Sequence, residues 1–109
     1  MIAIKLRRRL LLLAIFSLSQ FVLAQNVDFN NTNFKSDKEG LKSAEKNIKI
    51  ADEFREKALL NVLSMQDARV ESENAFLHYQ KAHSFNPNNA VLNYKIASVL
   101  LFTNRKEFA

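Results

Sequence analysis

Three observations predict an all-α protein. Apolar residues recur at steps of three, four or seven through Leu41, Ala44, Ile48, Ala51, Ala58, Val62 and Met65, the period of one helix face. The 109 residues hold one glycine and one proline, so little interrupts helical order. The proline falls in Asn86-Pro87-Asn88-Asn89, between two apolar-periodic stretches, where it reads as a turn between helices.

Length and composition bound the rest. A chain of 109 residues holds one small domain at most, and 48 % apolar with 25 % charged content is ordinary for a globular protein. The net charge of +5 is concentrated at Lys5, Arg7, Arg8 and Arg9; without them twelve basic residues face eleven acidic ones. Nucleic acid is therefore not an expected partner, because phosphate binding needs a dense basic face. The chain has no cysteine, which excludes disulfides, thiolate catalysis and cysteine-ligated metal sites.

Residues 1–24, MIAIKLRRRLLLLAIFSLSQFVLA, join a basic leader to an apolar run from Leu10 to Phe16 and end on Val22 and Ala24. This is the pattern of a secretory signal peptide with cleavage expected between Ala24 and Gln25. A membrane span takes about 20 apolar residues, and Ser17, Ser19 and Gln20 dilute this one, so no stable transmembrane segment is expected after cleavage. Residues 25–37 are expected to form a polar linker, with Phe29 and Phe34 either docked on the helices or exposed in a loose tail.

Ser36-Asp37-Lys38-Glu39 fits a capping box at the start of the first helix. Glu45 with Lys49, and Glu53 with Lys57, stand four apart on what reads as a solvated face. No strong breaker lies between Arg55 and Ser72, which allows one long helix through Phe85 or a turn near Arg69-Val70-Glu71-Ser72. Helix-length statistics favour a break at 69–72, with Ser72 as N-cap. A second helix then runs to Phe85 with Ala75, Phe76, Tyr79, Ala82 and His83 on its buried side, and a third from Asn89 to Phe102. The short turn at Pro87 makes the last two antiparallel.

The spacing of Ala75, Tyr79, Ala82 and Pro87 resembles the second helix of a tetratricopeptide repeat. Asn93, Ile96, Ala97 and Leu100 fall where the next first helix of that family usually carries Trp, Leu, Gly and Tyr, and residues 104–109 look like the following turn and helix start. Ala75 and Ala109 are 34 residues apart, the length of this repeat. The resemblance covers residues 56–109 and is best over 75–109; Asn93 departs from the usual Trp, and Leu59, Val62, Leu63 and Gln66 match an earlier first helix only loosely. The run from Asn86 to Ala97 also resembles repeats in exported Bacteroidetes proteins that carry a downstream OmpA-like peptidoglycan-binding domain.

The resemblance implies antiparallel helical hairpins of an α-solenoid over residues 38–109, incomplete at the C-terminus. It implies packing roles for Ala75, Tyr79, Ala82, Pro87, Ile96, Ala97, Leu100 and Ala109, and a partner groove lined by Val91, Tyr94, Ser98, Leu101 and Phe102. The functional expectation is an exported, non-catalytic scaffold that binds a protein or peptide in the periplasm or at the outer membrane. The alternative is an envelope component bracing a peptidoglycan-binding domain further along. Tyr94 and Ser98 stand where a carboxylate-clamp subgroup would carry basic and asparagine side chains, so an acidic C-terminus is not the expected ligand. Ala109 falls where a second helix should begin, so the chain reads as a fragment. Were it complete, a patch around Ile96, Val99, Leu100 and Phe108 should drive self-association.

No residue pattern supports an enzyme or a cofactor. His78 and His83 are five apart, unlike an i, i+4 metal pair. Asp52 and Glu53 diverge around a helix, and Ser64, Ser72 and Ser98 lack a glycine elbow or a base at a recognisable spacing. A membrane-surface helix over residues 41–65 is disfavoured by the mixed signs of its polar face, which include Glu45, Asp52, Glu53 and Glu56.

Overall fold

The computed structural model describes residues 26–103, which form three helices and, among those residues, no strand: α1 (Lys38–Leu63), α2 (Arg69–Phe85) and α3 (Ala90–Leu100). The expected signal peptide, and the expected turn and helix start at 104–109, lie outside the described residues. The described part is all-α, as the sequence predicts. None of its helices is long and apolar enough to cross a membrane.

The start of α1 is set by Asp37, whose carboxylate accepts the Gly40 N–H at 2.8 Å. The cap is thus one residue later than the expected Ser36, because an ionised carboxylate is the stronger acceptor for a helix N-terminus. The only glycine of the chain stands here for steric reasons. A Cβ at Gly40 would lie 2.5 Å from the Phe85 ring edge and against the Asp37 carboxyl.

The other end of α1 corrects the expected break. The helix stops at Leu63, not at 69–72, in a Schellman motif: Gln66 N–H donates to Asn61 O at 2.7 Å and Met65 N–H to Val62 O at 3.1 Å. Met65 occupies the left-handed position with φ 56°, where glycine is usual. A non-glycine residue there leaves no local sign of a helix stop. The apolar stripe of α1 correspondingly ends early, with Leu41, Ala44, Ala51 and Ala58 buried but Val62 38 % and Met65 96 % exposed.

Helix α2 begins at Arg69 after Ala68, with the Asp67 carboxylate accepting the Arg69 N–H at 3.0 Å. Ser72, the expected N-cap, instead lies inside the helix, fully buried, with its N–H donating to Ala68 O. Ala75, Phe76, Tyr79 and Ala82 are buried as expected, while His83 is half-buried.

The pairing of α1 and α2 rests on small residues. Ala44, Ala51 and Ala58 on α1, and Ala68, Ala75 and Ala82 at and along α2, each recur every seven residues and are all 6 % exposed or less. A seven-residue repeat keeps one seam of a helix against its neighbour, and alanine on both sides lets the backbones approach closely. The antiparallel register is visible in three contacts that descend α1 as they ascend α2 in sequence: Asn61 with Asp67, Asn47 with His78, and Gly40 against Phe85.

The turn into α3 behaves as the proline requires. Asn86 is extended (φ −137°, ψ 90°), and Asn89 caps α3 by accepting Leu92 N–H at 2.9 Å. Leu92, Val99 and Leu100 are buried, and Ile96 is half-buried against the same core. The self-association patch expected around Ile96, Val99 and Leu100 is therefore mostly interior; Phe108 lies outside the described residues.

The expected polar linker is an ordered clasp over its described length. Val27 N–H donates to Asn88 O, Val27 O accepts the side-chain amides of Asn86 (2.8 Å) and Asn89 (3.0 Å), and Asn26 Oδ1 accepts Ala90 N–H. Phe34 meets the Phe85 ring at 4.7 Å, and Phe29 packs on the core. Of the two fates open to these phenylalanines, docking is observed.

Ser72 Oγ is a buried polar atom without a hydrogen-bond partner. Ser72→Ala should raise stability by about 1–2 kcal/mol, through removal of an unsatisfied hydroxyl and a better helix former. Urea unfolding monitored by circular dichroism checks this; a loss of stability would mean that the hydroxyl is satisfied in solution.

Candidate functional site

Two helices that hardly touch through backbone, α1 and α3, are joined by side chains from polar positions of both. Asp52 of α1 accepts the Lys95 ammonium of α3 at 2.9 and 3.0 Å. The same Asp52 Oδ1 accepts the Tyr79 hydroxyl of α2 at 2.6 Å. One turn further, Arg55 Nε donates to Ser98 Oγ at 2.9 Å, and that hydroxyl donates to Lys95 O at 2.7 Å. Both pairings have the same sequence offset, so α1 and α3 run parallel and side by side.

The electrostatics of this junction follow from burial. Tyr79 is fully buried, and removal from water, followed by its hydrogen bond to the Asp52 carboxylate and that group's charge, pushes its hydroxyl far above the ordinary value. Asp52 and Lys95 keep partial access to water, with side chains 42 % and 23 % exposed. Oδ1 of the carboxylate accepts from both Tyr79 and Lys95, and Oδ2 accepts from Lys95. What the junction does is hold three helices in one register; Tyr79 is fixed as a donor and Lys95 as a counter-ion.

The residues predicted to line a groove fall into two groups. Val91, Tyr94 and Leu101 are 61 %, 68 % and 60 % exposed along α3 and just past it. Ser98 is half-buried and engaged by Arg55, and Phe102 is half-buried. Among the predicted packing residues, Ala75, Tyr79, Ala82 and Leu100 are buried, Ile96 is half-buried, and Pro87 and Ala97 are exposed. Ala109 lies outside the described residues.

His78 is accounted for by packing. His78 Nδ1 is 3.0 Å from Asn47 Oδ1, and its ring stacks on Phe54 with centroids 6.1 Å apart. No group of three His, Asp or Glu side chains that could hold a metal ion occurs among the described residues.

Asp52, Arg55 and Lys95 are the residues that sequence reasoning missed. Each sits on a face that reads as solvated within its own helix, and each has its partner 43 residues away. Only the buried Tyr79, whose hydroxyl must find an acceptor, signalled that a polar group lay opposite.

Compared with family models, curated proteins and solved structures, the chain matches none.

The junction predicts a pH dependence. The folded-state pKa of Tyr79 lies above the unfolded value near 10.0, so its contribution is complete below pH 10 and declines as the pH rises beyond it. Tyr79→Phe should cost about 1–2 kcal/mol at pH 7, and the gap between the two chains should narrow above pH 10. Urea titrations between pH 7 and pH 11 check this, and a gap that widens with pH contradicts it.

Proposed function

We propose that this chain is an exported, non-catalytic scaffold of the tetratricopeptide type, which presents one face of paired helices to a protein or peptide partner. The observation that carries the reading is the division of α3 into two sides. Leu92, Val99 and Leu100 face the core, while Val91 and Tyr94 stand exposed on the short helix and Leu101 just past its end. A side chain as large as tyrosine, more than half exposed between two aliphatic residues, offers the rigid amphipathic contact common at binding surfaces.

The polar junction supports the same reading. Asp52–Lys95 and Arg55–Ser98 fix α1 beside α3, so a partner meets a preorganised face and loses little affinity to ordering it. The helical order and the 34-residue spacing from Ala75 to Ala109 agree with a repeat unit, and the N-terminal leader supports export.

A photo-reactive residue placed at Leu101 in the producing cell should give a discrete adduct heavier than the chain by a mass other than its own. The same residue at Leu77, which is exposed on α2, should give none. Tyr94→Glu should lower the Leu101 adduct by about fivefold or more, the loss of one modest interface contact, with helical content unchanged. Equal adducts at both positions would defeat the reading, and loss of helical signal in Tyr94→Glu would mark that residue as structural.

A further inference from the structure

The end of the α1–α2 hairpin carries an apolar surface that no internal packing uses. Leu59, Leu60 and Leu63, in the last turns of α1, are 42 %, 57 % and 81 % exposed, and Met65 beyond them is 96 % exposed. The i, i+1, i+4 spacing places the three leucines on one stripe. Met65 also holds the left-handed backbone of the Schellman turn, which costs a side-chain-bearing residue about 1 kcal/mol relative to glycine. A strained position that displays a large apolar side chain to solvent is better explained by an external contact than by the fold.

We propose that this stripe is the contact between two copies of the chain, a two-fold dimer joined at the hairpin tips. The four side chains expose an area on the order of 500 Å², the size of the largest apolar patch on a typical monomer, which is often functional. Two copies sealed against each other bury about 1,000 Å², the lower bound for a specific interface, so the association is weak and reversible.

The charges around the stripe favour a second copy over a lipid surface. Glu56, Lys57, Asp67 and Arg69 are all exposed, two of each sign, and Arg69 is already paired with Asp67 at 3.0 Å. Under a two-fold axis a rim of both signs meets its own complement. Insertion at an anionic membrane would call for a cationic rim. By the 43-residue offset that pairs α1 with α3, Val91 and Tyr94 stand level with Ile48 and Ala51, about two turns or more from the stripe, whereas Leu101 stands level with Ala58 beside it, so the dimer would leave Val91 and Tyr94 of both copies free and couple them through avidity.

The test uses the full-length chain, purified as the producing cell processes it. Sedimentation across about 1–200 µM should show a monomer–dimer equilibrium. Leu63→Glu should weaken it by about tenfold or more, one well-buried contact's worth, and Tyr94→Glu should not. Met65→Gly should weaken the dimer yet raise the unfolding midpoint, a combination that a purely structural role for Met65 would not give. Because the chain has no cysteine, Leu63→Cys should convert to a disulfide-linked dimer under mild oxidation.

A wild-type chain that stays monomeric throughout overturns the proposal. So does a dimer that survives Leu63→Glu and is lost in Tyr94→Glu, which would place the contact on α3. Flotation with phosphatidylcholine vesicles that Leu63→Glu abolishes, without a dimer, would assign the stripe to lipid. A dimer that appears only when residues 104–109 are removed would assign it to the chain's own last residues.

Discussion

The placement of α3 on the α1–α2 hairpin depends on one carboxylate. Asp52 receives a hydroxyl from α2 and an ammonium from α3, so a single side chain on α1 ties α3 to the hairpin that the alanine seam closes. Apolar packing alone brings α3 against α2 through Leu92, Val99 and Leu100, but such contacts are non-directional and leave its rotation loosely specified. The charged pair and the Arg55–Ser98 bond supply direction. Partial exposure of Asp52 and Lys95 keeps their desolvation penalty modest, which is the regime where an ion pair specifies geometry without a large cost in stability.

The two ends of the hairpin are built by different means. At the lower end, asparagines do what backbone pairing does elsewhere: Asn86 and Asn89 reach across to Val27, Asn89 also caps α3, and Asn26 satisfies Ala90. Each of these side chains carries both a donor and an acceptor, and that accounts for the density of asparagine in 26–33 and 86–93. At the upper end a Schellman turn of backbone hydrogen bonds, with Asn61 Nδ2 donating to Asp67 O and Asp67 paired with Arg69, leaves Leu63 and Met65 exposed. One end is sealed by asparagine side chains, and the other displays an apolar stripe beside its polar contacts.

Much of the fold was legible because it is written in local terms. The period of Leu41 to Ala58, the proline turn and the start of a third helix near Asn89 depend on residues within a few positions of each other, and the three helices followed from them. The break between α1 and α2 was misplaced because its Schellman turn uses methionine where glycine would have announced it. The N-terminal segment read as a linker because asparagine-rich composition does not distinguish a solvated tail from a clasp whose partners are about 60 residues away. The same limit hid Asp52, Arg55 and Lys95. Of the residues that the tetratricopeptide resemblance assigned to a groove, Val91, Tyr94 and Leu101 are exposed, while Ser98 proved to be part of the junction that joins α1 to α3.

Native-state hydrogen exchange on Asp52→Ala tests the claim that this carboxylate fixes α3. The amides of α3 should exchange about tenfold faster, the effect of roughly 1.4 kcal/mol of local opening, while those of the alanine seam in α1 and α2 keep most of their protection. Unchanged exchange in α3, or an equal loss across all three helices, would contradict the account.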